Sequence, residues 1–175
     1  GDGATNIGYF HESLNMAAVW DLPIVFICEN NKYGMGTSIE KASATHKMVD
    51  KAKAYNIPGK QIDGMDIFAV YEASQKAIAA CRKGKGPQFL EMMTYRYQGH
   101  SIGDRTRYRP EGELDKWRDE KDPIATLQAH LLKEGVAEAE LVAIDQAIMK
   151  EVDEAVEFSN NSPLPAQDTL FNHIY

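Results

Sequence analysis

With 175 residues, of which 43% are hydrophobic and 26% charged, the chain has the makeup of a globular protein able to bury a sizeable core, which excludes disorder as its default state. A formal charge of -7, with Lys and Arg interleaved among acids, excludes non-specific nucleic-acid binding, because neutralising phosphates requires clustered bases. Two cysteines, Cys28 and Cys81, are too few for a disulfide framework or a zinc site and lie in apolar segments, so buried reduced thiols are expected.

In chain order, Gly1 to Asn6 have neither the basic start nor the apolar stretch of a signal peptide, and no later run approaches the roughly 18 apolar residues of a membrane span. The expectation is a protein with no membrane partner, cytoplasmic in a bacterium or housed in a mitochondrial matrix. Gly8 to Trp20 places Phe10, Leu14, Ala17 and Ala18 at helical spacing, and Leu22-Pro23 ends that helix. Ile24 to Cys28 is a short apolar run that predicts a strand covered on both faces and central to its sheet. From Asp66, the positions Ile67, Val70, Tyr71, Ser74, Ile78 and Cys81 form a helical stripe that stops at Gly84 and Gly86. Pro87 to Tyr95 is then a second strand, and Gln98 to Arg109 a polar loop. Asp122-Pro123 caps a helix running to Gly135. Leu141, Ile144, Ile148, Val152 and Ala155 mark a longer amphipathic helix, followed by a connector from Asn160 to Pro165 and a tail ending at Tyr175. Trp20, Met92 and Met93 are expected in the core. Helix, glycine stop and strand together predict an α/β fold, a mostly parallel sheet with helices on both faces, with a helical carboxyl-terminal segment. Residues 1–110 form the α/β region and 111–175 a helical extension and tail of the same domain. A glycine turn feeding a helix normally follows a strand, so the natural protein is expected to start before Gly1.

Gly1-Asp2-Gly3-Ala4 opens a helix, and Glu29-Asn30-Asn31 follows a buried strand. A right-handed βαβ unit would bring both to the edge of the sheet where open α/β folds bind ligands. Asp2 and Asn31 would then face one crevice. Their oxygens suit Mg²⁺ or Ca²⁺ but are too few to fill an octahedral shell, which points to a diphosphate as a further ligand. Gly1 and Gly3 let backbone approach closely, and the Gly3 and Ala4 amides can point at an anion. A Gly-Asp-Gly alone is an ordinary turn, and it is the separation of the two segments by a helix and a strand that carries weight.

Those two segments together resemble the signature of thiamine-diphosphate enzymes. Asn15-Met16-Ala17-Ala18, Tyr33-Gly34-Met35-Gly36-Thr37-Ser38, Asp63-Gly64-Met65-Asp66 and Tyr95-Arg96-Tyr97-Gln98-Gly99-His100-Ser101 extend the resemblance over essentially the whole chain, to the alpha subunits of two-subunit 2-oxo acid dehydrogenases. The Tyr33–Ser38 stretch looks more like the pyruvate enzymes than the branched-chain ones. The resemblance implies thiamine diphosphate and Mg²⁺ as cofactors, with Asp2, Asn31 and the Tyr33 carbonyl as metal ligands. It implies a diphosphate contact from Arg96 and makes His100 a catalytic and cofactor-site residue at the entrance, acting on the substrate carbonyl and on acyl transfer to a lipoyl group. Ser101 and Ser38 match positions phosphorylated in some members, although the loop after Ser101 lacks the proline and second serine common there. The implied partners are a beta subunit in a heterotetramer, a lipoyl-bearing acyltransferase and a small 2-oxo acid, so residues 1–175 alone are expected to be inactive. Acetoin is the alternative substrate. A non-catalytic metal- or nucleotide-binding module is the alternative of another class, against which the Arg96 and His100 loop argues.

Overall fold

The computed structural model describes residues 1–174, so Tyr175 at the end of the expected tail lies outside the described residues. The chain forms one compact unit, Gly1–Leu127, and a second that begins at Gln128. The first unit opens on a 3-10 turn, Asp2–Asn6, followed by α1 (Gly8–Val19) and β1 (Val25–Asn30). A small hairpin, β2 (Tyr33–Gly34) and β3 (Thr37–Ser38), leads to α2 (Ile39–Ala42) and α3 (Met48–Lys53). Then come β4 (Gly59–Asp63), α4 (Ile67–Arg82), β5 (Gln88–Met93), the polar loop and α5 (Glu113–Lys121). α6 (Pro123–Lys133), α7 (Glu138–Asn161) and a 3-10 turn, Gln167–Phe171, complete the order.

The expected elements form where caps and periodicity place them. Asp66 caps α4 through its carboxylate, which accepts the Phe68 and Ala69 amides at 2.9 and 3.1 Å. Gly84, at φ +68°, closes α4, with its amide on the Cys81 carbonyl and the Lys85 amide on the Ala80 carbonyl. The same motif ends α1, with Asp21 in the left-handed position at φ 50° and the Leu22 amide on the Ala17 carbonyl. Asp122 caps α6 as expected, accepting the Ile124 amide at 2.8 Å.

The sheet is parallel throughout, in the order β1-β5-β4. Its register aligns Asn30, Met93 and Asp63, so all three strands end at one edge. Phe89 faces a core of Leu14 from α1, Met48, Val49 and Ala52 from α3, and Cys28. The neighbouring Leu90 faces Ala73 and Ala77 of α4 on the other side. Helices therefore cover both faces, as the fold class requires.

Several details depart from expectation. Among the described residues β5, not β1, is the central strand, with β1 and β4 on either side of it. An uninterrupted apolar run shows that a strand packs, not how many neighbours it has. Nor is β1 fully covered on both faces: Phe26 packs inward against the core and Val25 against the α4 side, whereas Ile27 is 55% exposed. On α4 the packed line is Val70, Ala73, Ala77 and Cys81, while Ile67, Tyr71 and Ile78 remain exposed. Small residues let the helix axis approach the strands, and the bulky ones stay outside. Trp20 is 60% exposed rather than core, since α1 packs through Leu14 and Ala17, whereas Met92 is buried. Both cysteines are free and buried, and burial pushes the Cys28 thiol up to about 12. In α7, Ile144, Ile148 and Val152 remain about half exposed.

Candidate functional site

The carboxyl edge of the sheet carries the chemistry. Asp2 is 3% exposed in its 3-10 turn, and Thr5, also buried, donates its hydroxyl to the Asp2 carbonyl at 2.7 Å. Lys51 of α3 grips this turn, donating to Thr5 Oγ1 at 2.8 Å and to Asn6 Oδ1 at 2.7 Å. A Cβ on Gly3 would stand 3.2 Å from the Cα of Gly34, so the hairpin backbone packs directly on the Asp2 turn because neither residue has a side chain. The Ala4 amide closes the turn on the Gly1 carbonyl at 3.1 Å.

Across from it, two consecutive asparagines shape the bend after β1. Asn30 Oδ1 accepts the Lys32 amide and Asn31 Oδ1 accepts the Tyr33 amide, each at 3.0 Å, while Lys32 takes a left-handed φ of 68°. Asn31 then meets Asp2. Burial pushes the Asp2 carboxyl above its ordinary range, opposed by hydrogen bonds from its own backbone amide and that of Asn31 and by the charge of Arg96. Asp2 Oδ1 is buried without a hydrogen-bond partner. Such an oxygen is costly unless a cation meets it.

These donors fit a hard cation that brings its own further oxygens. Asp2, Asn31 and the Tyr33 carbonyl offer one charged and two neutral oxygens. Among the described residues no cluster of three or more His, Cys, Asp or Glu could hold a metal unaided. An octahedral ion here would therefore draw its remaining oxygens from a phosphate-bearing ligand and water.

The loop after β5 closes over the hairpin. Arg96 Nη2 donates to the Met35 carbonyl at 2.7 Å and to the Tyr108 hydroxyl at 2.9 Å, and its Nη1 lies 3.5 Å from His100 Nδ1. Its Nε is buried with no partner. His100 is exposed at the loop surface, as is Ser101, while Ser38 is half-buried where β3 meets α2. Asp104 accepts the His100 and Thr106 amides at 2.8 Å and the Tyr108 hydroxyl at 2.7 Å. The Tyr108 bond first, and then the two amides, hold its carboxyl down at about 2. Arg109 spans the loop base, donating to the carbonyls of Tyr97, Arg96 and Gln98 at 2.9, 2.8 and 3.0 Å while lying over the Tyr95 ring.

Beneath the loop, Glu113 at the start of α5 accepts the Tyr33 and Tyr95 hydroxyls at 2.9 and 3.1 Å, and Trp117 stacks on Tyr95. Burial first, and then Glu113, push both phenols up; Tyr33 and Tyr95 each reach about 12. A separate recess of about 360 Å³, lined by Asn15, Asp21, Tyr55, Asn56 and Lys85, includes Pro58 and Pro87, which precede the starts of β4 and β5 and so lie at the opposite end of the strands.

The model of the family described as dehydrogenase E1 component matches residues 1–168. The chain belongs to the dehydrogenase E1 component family. It is 46% identical over 175 residues to the pyruvate dehydrogenase E1 component subunit alpha of Rhizobium meliloti, covering 99% of this chain and 50% of that protein. It is 47% identical to the alpha subunit of the acetoin:2,6-dichlorophenolindophenol oxidoreductase of Bacillus subtilis, covering 100% of this chain and 52% of that protein. The human mitochondrial somatic form of the pyruvate dehydrogenase alpha subunit is 45% identical, covering 100% of this chain and 45% of its own length. The chain thus spans about half the length of the curated relatives it matches.

Within this family member, the structure brings Asp2, Asn31, Tyr33 and Arg96 to one edge and leaves His100 at the outer surface of the loop beside them. Sequence reasoning passed over Glu91, Asp104, Arg109 and Glu113, which hold those residues in place. Glu91 carried a usable signal: a carboxylate in an otherwise apolar strand is buried only if partners await it. The others sit in polar stretches where no periodicity marks them.

Proposed function

We propose that this chain supplies the metal- and diphosphate-holding part of a thiamine-diphosphate site in the alpha subunit of a pyruvate dehydrogenase that transfers the acetyl unit to a lipoyl group. The observation that carries this reading is the buried, partnerless Oδ1 of Asp2 facing the asparagine bend and the Arg96 loop. Thiamine diphosphate, when bound, supplies the nucleophilic carbon and the electron sink for loss of carbon dioxide from a 2-oxo acid. Asp2, Asn31 and the Tyr33 carbonyl would hold Mg²⁺, and the Gly3 and Ala4 backbone at the Asp2 turn would lie beside the diphosphate, where Gly3 presents no side chain. Arg96 sets a fixed positive charge beside the diphosphate, with its Nε still free to donate. His100 moves a proton at the substrate's carbonyl oxygen and assists delivery to the lipoyl acceptor, as its exposed position at the loop surface allows.

The partners in this reading are a beta subunit that completes the cofactor site in a heterotetramer, a lipoyl-bearing acyltransferase and pyruvate. Relatives come from bacteria and from mitochondria, so the compartment is a bacterial cytoplasm or a mitochondrial matrix. Among the described residues no helix is long and apolar enough to cross a membrane. Acetoin is the second reading of the substrate, favoured by the 47% identity to the Bacillus subtilis subunit. Ser101, being exposed, is the more accessible phosphate acceptor of the two serines. Replacing Asp2 by Ala in the full assembly is expected to abolish Mg²⁺-dependent binding of thiamine diphosphate, measured by calorimetry; unchanged affinity would sink the reading.

A further inference from the structure

Glu91 is 0% exposed in the middle of the central strand, and neither of its oxygens is idle. Oε1 accepts from Asn30 Nδ2 at 2.7 Å, and Oε2 accepts the backbone amide of Val49, near the start of α3, at 3.2 Å. Asn30 directly precedes Asn31, and its own Oδ1 bonds to Lys32, so the grip on Asn30 fixes both sides of the bend that presents Asn31 and the Tyr33 carbonyl. The other oxygen fixes α3, whose Lys51, on the next half-turn, clamps Thr5 and Asn6 in the Asp2 turn. One carboxylate thus ties the strand that leads into one half of the candidate metal site to the helix that clamps the turn bearing the other. Thr5 strengthens that link, since its hydroxyl also contacts Met48 of α3 at 2.9 Å.

We propose that Glu91 is a positioning residue that sets the distance between the Asp2 turn and the Asn31–Tyr33 bend and so tunes affinity for the divalent cation. This rests on the metal-site reading given above. A buried carboxylate is a poor way to stabilise a strand, because desolvation offsets most of its hydrogen-bond energy. An apolar residue would pack there at least as well. What a carboxylate offers is two acceptors held at a fixed separation, one aimed at β1 and one at α3.

The donor pattern provides the test. In Glu91→Gln one end of the amide becomes a donor facing a donor, Asn30 Nδ2 or the Val49 amide. In Asn30→Asp two acceptors face one another. In the double variant the pattern is reversed and restored: the amide introduced on β5 donates to the carboxylate introduced on β1, while its carbonyl still accepts from Val49, with the same net charge as the parent. Affinity for Mn²⁺ is read by electron paramagnetic resonance of the free ion, in the assembled enzyme containing the full-length chain and thiamine diphosphate, with melting temperature followed in parallel. Phe89→Leu serves as a control for core loosening, since Phe89 packs on the same face, in the cluster of Leu14, Cys28 and Met48.

Each single variant is expected to weaken Mn²⁺ binding by about 10- to 100-fold, the usual range for groups that orient metal ligands. The double variant is expected to recover most of that loss, and Phe89→Leu to lower the melting temperature without changing Mn²⁺ affinity. If a single variant fails to fold, recovery of both folding and Mn²⁺ binding in the double variant still supports the proposal. Binding in the double variant no better than in the weaker single, or an equal loss of affinity in Phe89→Leu at matched stability, would overturn it, as would single variants that bind like the parent. A parent enzyme that binds no Mn²⁺ would overturn the metal-site reading and this proposal together, whereas a binding parent with indifferent variants removes only the proposal.

Discussion

Replacing Arg109 by Ala should release the His100 loop without unfolding the sheet. The guanidinium donates to three consecutive backbone carbonyls, those of Arg96, Tyr97 and Gln98, and lies 5.1 Å from the Tyr95 ring centroid and 5.9 Å from that of Tyr108. Hydrogen bonds to charged donors contribute roughly 1.5–3 kcal/mol when desolvated, but Arg109 is partly exposed, so about 1 kcal/mol apiece is the fairer figure. Stacking on the tyrosines adds about 0.5–1 kcal/mol. The total, about 3.5–4 kcal/mol, converts at about 1.4 kcal/mol per decade to a loop that opens between two and a half and three orders of magnitude more often. Arg109→Lys keeps the charge and the stem but not the fork, so it should lose roughly half of this. Amide hydrogen exchange reads the effect at His100, Asp104 and Thr106, whose N–H groups bond within the loop at 2.8, 3.0 and 2.8 Å. The β5 amides serve as the internal reference. If the loop amides accelerate by less than about threefold, or only in step with those of β5, Arg109 is not the latch, because about 1.4 kcal/mol is already a decade.

Other outcomes follow from the same geometry. Under the proposed function, His100→Ala in the full assembly should lower turnover with a lipoyl acceptor by roughly two to four orders of magnitude, the span of general acid/base groups, while cofactor affinity measured by calorimetry stays near that of the parent; equal turnover would remove His100 from the proposed mechanism. Gly99→Ala should disorder the loop, because a Cβ there would lie 2.7 Å from the Asp104 carbonyl oxygen; a crystal structure of the variant with an unchanged loop would contradict this. Asp104, ordinarily near 3.8, is depressed to about 2, so its contribution to loop order is complete above pH 3.8 and fades as pH falls towards 2. The His100 amide resonance should therefore titrate with a midpoint near 2, and Tyr108→Phe should raise that midpoint; a parent midpoint near 3.8 would show that these bonds do not form in solution.

What the sequence determined by itself was whatever local chemistry enforces. Asp66, Gly84 and Asp122 mark helix ends through bonds made within a few residues, and the apolar run at β1 had to be a strand. Asp2 and Asn31 were legible as a pair because parallel strands joined through a helix end at the same edge of their sheet, where open α/β folds bind ligands. The tertiary structure alone decided which strand lies in the middle, which face of α4 packs, and that β1 keeps Ile27 half in water. Those outcomes depend on neighbours far along the chain, and an apolar residue carries no label saying which neighbour will cover it. The same holds for Glu91, Arg109 and Glu113. Each is an ordinary charged residue until folding places an asparagine amide, three carbonyls or two tyrosine hydroxyls within 3.1 Å of it. Long-range partners of this kind make the site, and they exist only once the loop, the hairpin and the sheet edge have come together.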